Sequence, residues 1–273
     1  MNVLKKGTII VFLAMLVVFG VVFIMDMMSS DHTRPQITFE TDHLYLDAAA
    51  GEADLMQGVR AHDKKDGDLT ARVIVESVSD QIEPGTVRVR YAVCDADGHV
   101  AEASRLLTYN GYAEPRFALL GDLVFGTGEK ITIRDKLTAT DAIGGDISER
   151  IALSSDDLAK GKEGEYTVTA QVMGSLGETV KLSLPVIVET APVSAPTIQL
   201  NRYLVYLKTG DAFDAHGFIE SVSNGLMPES VRVESNVDTS VPGVYRVDYR
   251  ITDGSGNVGH TVLNVVVEER GEN

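Results

Sequence analysis

Two acidic stretches hold the side chains in this chain best suited to chemistry. Asp63, Asp66 and Asp68 crowd the run Asp63-Lys64-Lys65-Asp66-Gly67-Asp68-Leu69, and Asp95 and Asp97 stand in Asp95-Ala96-Asp97-Gly98. A hard divalent cation such as calcium needs several oxygen ligands at about 2.3–2.6 Å. Five carboxylates gathered at one point would supply them, and the ion would relieve their mutual repulsion. The same residues have a plainer reading, because Asp and Gly are also what tight turns require. Hydrolysis would need a nucleophile, a base and an orienting group held together. The six histidines are His32, His43, His62, His99, His216 and His260, and none lies in a nucleophile elbow or an HExxH helix. His62, His99, His216 and His260 flank expected turns and read as solvated, so no catalytic activity is expected. Cys94, the one cysteine, excludes an intrachain disulfide and is expected to be a packed or half-exposed thiol.

The elements that must position these residues are strands. From Tyr245 to Ile251 apolar and polar residues alternate, with Tyr245, Val247, Tyr249 and Ile251 on one face. Arg246 and Asp248 take the other face and are expected in water. Pro242-Gly243 opens this strand and Asp253-Gly254-Ser255-Gly256-Asn257 follows it as a turn. The unit recurs twice upstream, since Gly164 minus Gly85 and Gly243 minus Gly164 are both 79, and Gly98, Gly177 and Gly256 keep that spacing. Val87, Val89, Tyr91 and Val93 match Tyr166, Val168, Ala170 and Val172 as inward positions. A fixed period with the same inward set filled means one domain present three times. The expected repeats are 35–112, 113–190 and 197–273, with a two-proline linker at 191–196. Each offers about seven short strands between turn signals, which predicts an all-β chain of three tandem Greek-key sandwiches. In repeat two the first acidic loop becomes Asp141-Ala142-Ile143-Gly144-Gly145-Asp146-Ile147, and in repeat three it becomes Ser223-Asn224-Gly225-Leu226. Any cation site should therefore weaken in repeat two and vanish in repeat three.

Ahead of the repeats, residues 8–25 carry no charge and match the length needed to cross about 30 Å of hydrocarbon as a helix. Lys5 and Lys6 precede the run and Asp26 and Asp31 follow it, which predicts a signal anchor with residues 1–7 cytoplasmic. Residues 26–34 then form a linker. A cleaved signal peptide is the competing reading, with Ser29 and Ser30 as the small residues available for a cut. The formal charge of −16 and pI near 4.7 argue against nucleic acid, which needs a basic face.

Residues 242–258, Pro-Gly-x-Tyr-x-Val-x-Tyr followed by Asp-x-x-Gly-Asn, resemble the closing motif of bacterial Ig-like surface repeats, relatives of hyalin and cadherin-like modules. Asp63 with Asp66-Gly67-Asp68-Leu69 is similar to that family's upstream loop. The resemblance covers nearly all of the chain after the linker. It implies extracellular, non-catalytic Ig-like sandwiches used in stalks, adhesins and wall-associated proteins. The absent disulfide fits a bacterial rather than a eukaryotic member. A membrane-anchored adhesion, stalk or protein-interaction module is the expected function. Two alternatives stand beside it: a carbohydrate- or wall-polymer-binding module, and an accessory subunit of a membrane complex. Sugar platforms favour exposed aromatics, and the chain has no Trp. Tyr203 and Tyr206, which flank a strand, are the aromatics expected to be available.

Overall fold

The computed structural model describes residues 2–29, 33–155, 162–190 and 192–271, with side chains of the N-terminal helix described at 11–25. That helix, α1, runs Asn2–Ser29, and its described side chains are apolar and almost all exposed. Among the described residues no helix is long and apolar enough to cross a membrane. The described side chains cover only part of the predicted 8–25 span. Lys5, Lys6, Asp26, Ser30 and Asp31, which bear on orientation and cleavage, fall outside them.

Everything after α1 is built from strands. Repeat one contains β1 (Gln36–Phe39), β2 (His43–Asp47), β3 (Val59–Asp63), β4 (Gly67–Asp68), β5 (Ile74–Val78), β6 (Thr86–Cys94) and β7 (Val100–Asn110). Repeat two follows with β8 (Arg116–Leu119), β9 (Val124–Gly126), β10 (Leu137–Asp141), β11 (Gly145–Asp146), β12 (Ala152–Ser155), β13 (Gly164–Met173) and β14 (Thr179–Glu189). Repeat three has β15 (Ile198–Leu200), β16 (Leu204–Lys208), β17 (Ile219–Val222), β18 (Arg232–Ser235), β19 (Gly243–Thr252) and β20 (Val258–Glu268). In each repeat one sheet holds four strands, in the orders β2-β7-β6-β5, β12-β13-β14-β9 and β16-β20-β19-β18. The smaller facing sheets are β1-β3-β4, β11-β10-β8 and β15-β17. The chain crosses early from the small sheet to the large one, where β2, β9 and β16 lie parallel to the last strand of their repeat. Two sheets, each with one apolar face, bury that face against the other.

The alternation read from sequence sets the cores. Val87, Val89 and Tyr91 are fully buried, as are Ala170, Val172, Val247 and Tyr249. The long hairpins β6–β7, β13–β14 and β19–β20 turn through Gly98, Gly177 and Gly256 at φ of 90°, 83° and 86°, a region that L side chains avoid. That requirement explains why the 79-residue spacing survives at these glycines. The chain divides into two compact units, Met1–Asn110 and Gly111–Asn273. Repeat one lies in the first, and repeats two and three together form the second. Residues 192–196 do not act as a free spacer, because Pro196 packs against β20 at Gly259.

Candidate functional site

The acidic pole of repeat one forms where the β3–β4 turn meets the β6–β7 hairpin. Asp63 ends β3 and is 2% exposed, with Oδ1 accepting the N–H groups of Lys65 and Asp66 at 2.7 and 3.0 Å. Asp66 reaches across to the hairpin, its Oδ2 accepting the Ala96 N–H at 2.7 Å. Lys65 Nζ meets Asp97 Oδ2 at 2.7 Å, and Arg72 donates to the Asp95 carbonyl. Asp68 accepts the Thr70 N–H at 2.9 Å, and Thr70 holds its carboxyl below the usual range. Asp95 accepts from the His99 backbone N–H at 2.8 Å and pairs with the His99 ring at 2.9 Å. Desolvation alone would raise the Asp95 pKa, but these hydrogen bonds outweigh it and leave the group below its ordinary value.

The two loops therefore share one pole, and each of Asp63, Asp66, Asp68 and Asp95 caps a backbone N–H while Asp97 pairs with Lys65. This is turn chemistry. No group of three or more His, Cys, Asp or Glu among the described residues is arranged to hold a metal ion. One oxygen of the pole stands apart: Asp63 Oδ2 is buried without a hydrogen-bond partner among the described residues. Repeat two explains it. There Asp141, the counterpart of Asp63, uses its Oδ1 for Ile143 N–H at 2.7 Å and its Oδ2 for the hairpin N–H of Ser175 at 2.6 Å. Gly144 replaces Asp66, so no second carboxylate competes for that N–H. In repeat one Asp66 takes the equivalent N–H of Ala96, and Asp63 Oδ2 is left over. Repeat three keeps the hairpin carboxylate Asp253, which accepts from Ser255, Asn257 N–H and Asn257 Nδ2 at 2.8, 2.9 and 2.8 Å. Its first loop turns instead through Asn224 at φ 60° and Gly225 at φ 68°.

A second polar constellation, in unit two, was not expected from the sequence. Arg246 and Asp248, assigned to water by the alternation of β19, are half-buried because repeat two covers that face. Arg246 Nη1 pairs with Glu165 of β13 at 2.7 Å, and its Nε with Asp248 at 2.9 Å. His260, read as solvated, has a fully buried ring, with Nε2 3.1 Å from Asp248 Oδ1 and Nδ1 3.0 Å from Glu189 Oε2. Glu165, Arg246, Asp248, His260 and Glu189 thus form one connected polar line across the two repeats. Desolvation pushes Asp248 upward, but its hydrogen bond from His260 and the charge of Arg246 prevail and hold it below the usual carboxylate range. Beside this line Thr261 donates to Asp122 at 2.9 Å.

Tyr203 and Tyr206, expected as available aromatics, are instead partly buried against the core of repeat two. The Tyr206 hydroxyl accepts the Phe117 N–H at 3.2 Å, and the Arg116 guanidinium lies 4.8 Å over its ring. A signal for this interface did exist in the repeat register. Gly259, His260 and Thr261 replace Ala101, Glu102 and Ala103 of repeat one and Val180, Lys181 and Leu182 of repeat two. A change of residue type at three successive equivalent positions marks a face with a new neighbour. Cys94 is half-exposed as expected, its Sγ 3.4 Å from the Asp95 carbonyl.

Residues 201–267 match the family described as bacterial surface protein, Ig-like domain. Over 217 residues the chain is 26% identical to pesticidal crystal protein Cry22Aa of Bacillus thuringiensis, covering 78% of this chain and 30% of that protein. It is 27% identical over 186 residues to an uncharacterized 81.3 kDa protein of Acholeplasma phage L2, covering 66% of this chain and 24% of the other. The chain thus spans less than a third of either relative. Among solved structures, mouse cadherin-23 EC22–24 matches at a TM-score of 0.21 and 14% identity, over 87% of this chain and 99% of that one.

Proposed function

We propose that this chain, whose residues 201–267 form a bacterial surface Ig-like domain, is a non-catalytic extracellular adhesion or stalk module held at the membrane by α1. The observation that carries the reading is the junction in unit two. Tyr203, Leu204, Tyr206 and Val266 of repeat three pack against the core of repeat two, and the Arg246–Glu165 and His260–Glu189 contacts add direction. Two sandwiches fused in this way resist bending, which is what a spacer under load requires. For the anchor, the support is the sequence: residues 8–25 are uncharged and match the length a helix needs to cross about 30 Å of hydrocarbon. The lysine flank puts residues 1–7 in the cytoplasm and the repeats outside. Mass spectrometry of protein extracted from membranes tests this. Recovery of peptides from 8–25 in the mature chain is the expected result, and a mature N-terminus near Ser29 or Ser30 would replace the anchor with a cleaved signal peptide.

The accessory-subunit alternative predicts a stoichiometric partner in detergent-extracted membranes, and the adhesion reading predicts none. A second reading concerns the acidic pole and rests on Asp63 Oδ2, a buried oxygen with no partner among the described residues. A calcium-like cation bound by Asp63 and Asp66, with the loops of Asp68, Asp95 and Asp97 closing on it, would satisfy that atom and tie the two loops together. It would stabilise unit one by about 2.7 kcal/mol at a hundredfold excess over Kd. The transition of unit one in the full chain, with and without millimolar calcium, tests it beside Asp63→Asn. A midpoint unmoved by calcium in the wild type leaves the pole as turns alone.

A further inference from the structure

A groove of about 400 Å³ opens in unit two along the edges of β8 and β16, each an outer strand of its sheet. Its lining includes Arg116, Arg202, Thr140, Asn201 and Tyr206 and no acidic residue, in a chain with 40 Asp and Glu against 24 Lys and Arg. Other clefts of the same unit each carry a carboxylate: Asp122 and Glu189, Glu165 beside Arg246, or Asp135 beside Lys130 and Arg134. The charge here is locally inverted. Glu268 Oε2 is shared between Arg116 and Lys208, at 2.8 Å from each, so one carboxylate answers two cations. Arg202 is exposed and has no ion pair among the described residues. The result is a local excess of positive charge beside an amide and hydroxyl groups. Arg116 is held in place by Glu268 below it and the Tyr206 ring against its face.

We propose that this groove binds an anionic polysaccharide, with Arg116 and Arg202 taking its carboxylate or phosphate oxygens and Asn201 and Thr140 its hydroxyls. The proposal deepens the extracellular reading above and rests on it. Guanidinium groups match carboxylate and phosphate geometry with paired N–H donors, whereas a neutral sugar would leave the unpaired Arg202 and the local excess of positive charge unanswered. An acidic peptide adding a strand to β8 is disfavoured by the edge itself, where the outward Phe117 N–H is already taken by the Tyr206 hydroxyl. The net charge of −16 opposes an anionic ligand at long range. That field is screened beyond about 8 Å at physiological salt, so the groove's own cations decide at contact.

The test uses the full chain in detergent micelles and calorimetric titration with four polymers: polygalacturonate, a phosphomannan, neutral dextran and poly-L-glutamate. Binding of either anionic polysaccharide with none of dextran is expected, and the tighter of the two identifies carboxylate or phosphate as the recognised group. Arg202→Gln should weaken that binding about tenfold with an unchanged melting midpoint, since one charge-assisted contact is lost and no internal one. Arg116→Gln should weaken it further, with a lower midpoint because the Glu268 and Tyr206 contacts go too. The proposal is overturned if neither anionic polysaccharide binds, if dextran binds equally, if Arg202→Gln binds as the wild type does, or if polyglutamate binds as tightly. Failure here leaves the extracellular reading intact, because that stands on the mature N-terminus and not on polymer binding.

Discussion

A single methyl group should loosen the junction that makes unit two one piece. Gly259 opens β20 where residues 192–197 cross it, and a Cβ built there would lie 1.8 Å from the Pro196 carbonyl oxygen and 2.8 Å from its carbon. The obstacle is backbone, so no side-chain rotation can clear it. Either β20 or the crossing segment must move by more than an ångström. The crossing segment is tied down by Thr197 N–H to Ser223 Oγ at 2.8 Å and Ser223 N–H to Thr197 O at 3.0 Å. The neighbouring residues on β20 carry the His260–Glu189 and Thr261–Asp122 contacts. Overpacking costs about 1–3 kcal/mol where side chains can adjust. With rigid atoms in the way, Gly259→Ala should cost about 3 kcal/mol, a fall of about 6–12 °C in the unit-two transition. Differential scanning calorimetry of the full chain measures it. Gly254→Ala is the control, since nothing lies within 4 Å of its Cβ position and its backbone is not left-handed. Repeat-to-repeat comparison argues the opposite, because Ala101 and Val180 occupy the equivalent sites. A Gly259→Ala variant melting within a degree of wild type would show that Pro196 does not sit on β20 as described.

Val247→Ala should cost roughly 1–3 kcal/mol through lost burial and a small cavity, measured by urea denaturation of the unit-two transition. Arg246→Ala should cost about 1 kcal/mol rather than nothing, because it leaves Glu165 and Asp248 without a shared cation across the repeats. Arg105, 3% exposed, sits where repeats two and three have Leu184 and Leu263, and donates to the Leu55 and Gln57 carbonyls at 3.0 and 2.7 Å. Arg105→Leu should be within about 1–2 kcal/mol of neutral, losing those bonds but removing a buried charge with no ion pair among the described residues, whereas Arg105→Ala should cost about 3 kcal/mol or more; hydrogen exchange in β6 and β7 distinguishes them. For Asp141, burial works to raise the pKa, but the N–H groups of Ile143 and Ser175 prevail and the folded value lies below the ordinary 3.8. A depressed folded pKa gives stability that is present above the unfolded value and lost as pH falls through the folded one. Asp141→Asn should therefore lower the midpoint at neutral pH and flatten its decline in acid.

Period-two patterning made the interior legible and left the outer faces dark, for a physical reason. Alternation reports which side chains share a face, so Val87, Val247 and Tyr249 could be assigned inward from sequence, and they are fully buried. Left-handed backbone at Gly98, Gly177 and Gly256 is likewise a local demand that sequence displays directly. What lies against the opposite face is a matter of long-range docking, to which alternation is blind. Arg246, Asp248 and His260 follow the pattern of exposed strand residues, yet repeat two covers them. The acidic pole lies between these cases. Its assembly from two loops could be read from topology, but the fate of each oxygen turns on a local substitution, Asp66 for Gly144, which redirects one hairpin N–H. Repeats therefore inform in two opposite ways. Positions that persist through all three copies describe how one sandwich folds. Positions that change in a cluster, as at Gly259, His260 and Thr261, describe what that sandwich touches, and it is among them that a tandem protein's specific contacts should be sought.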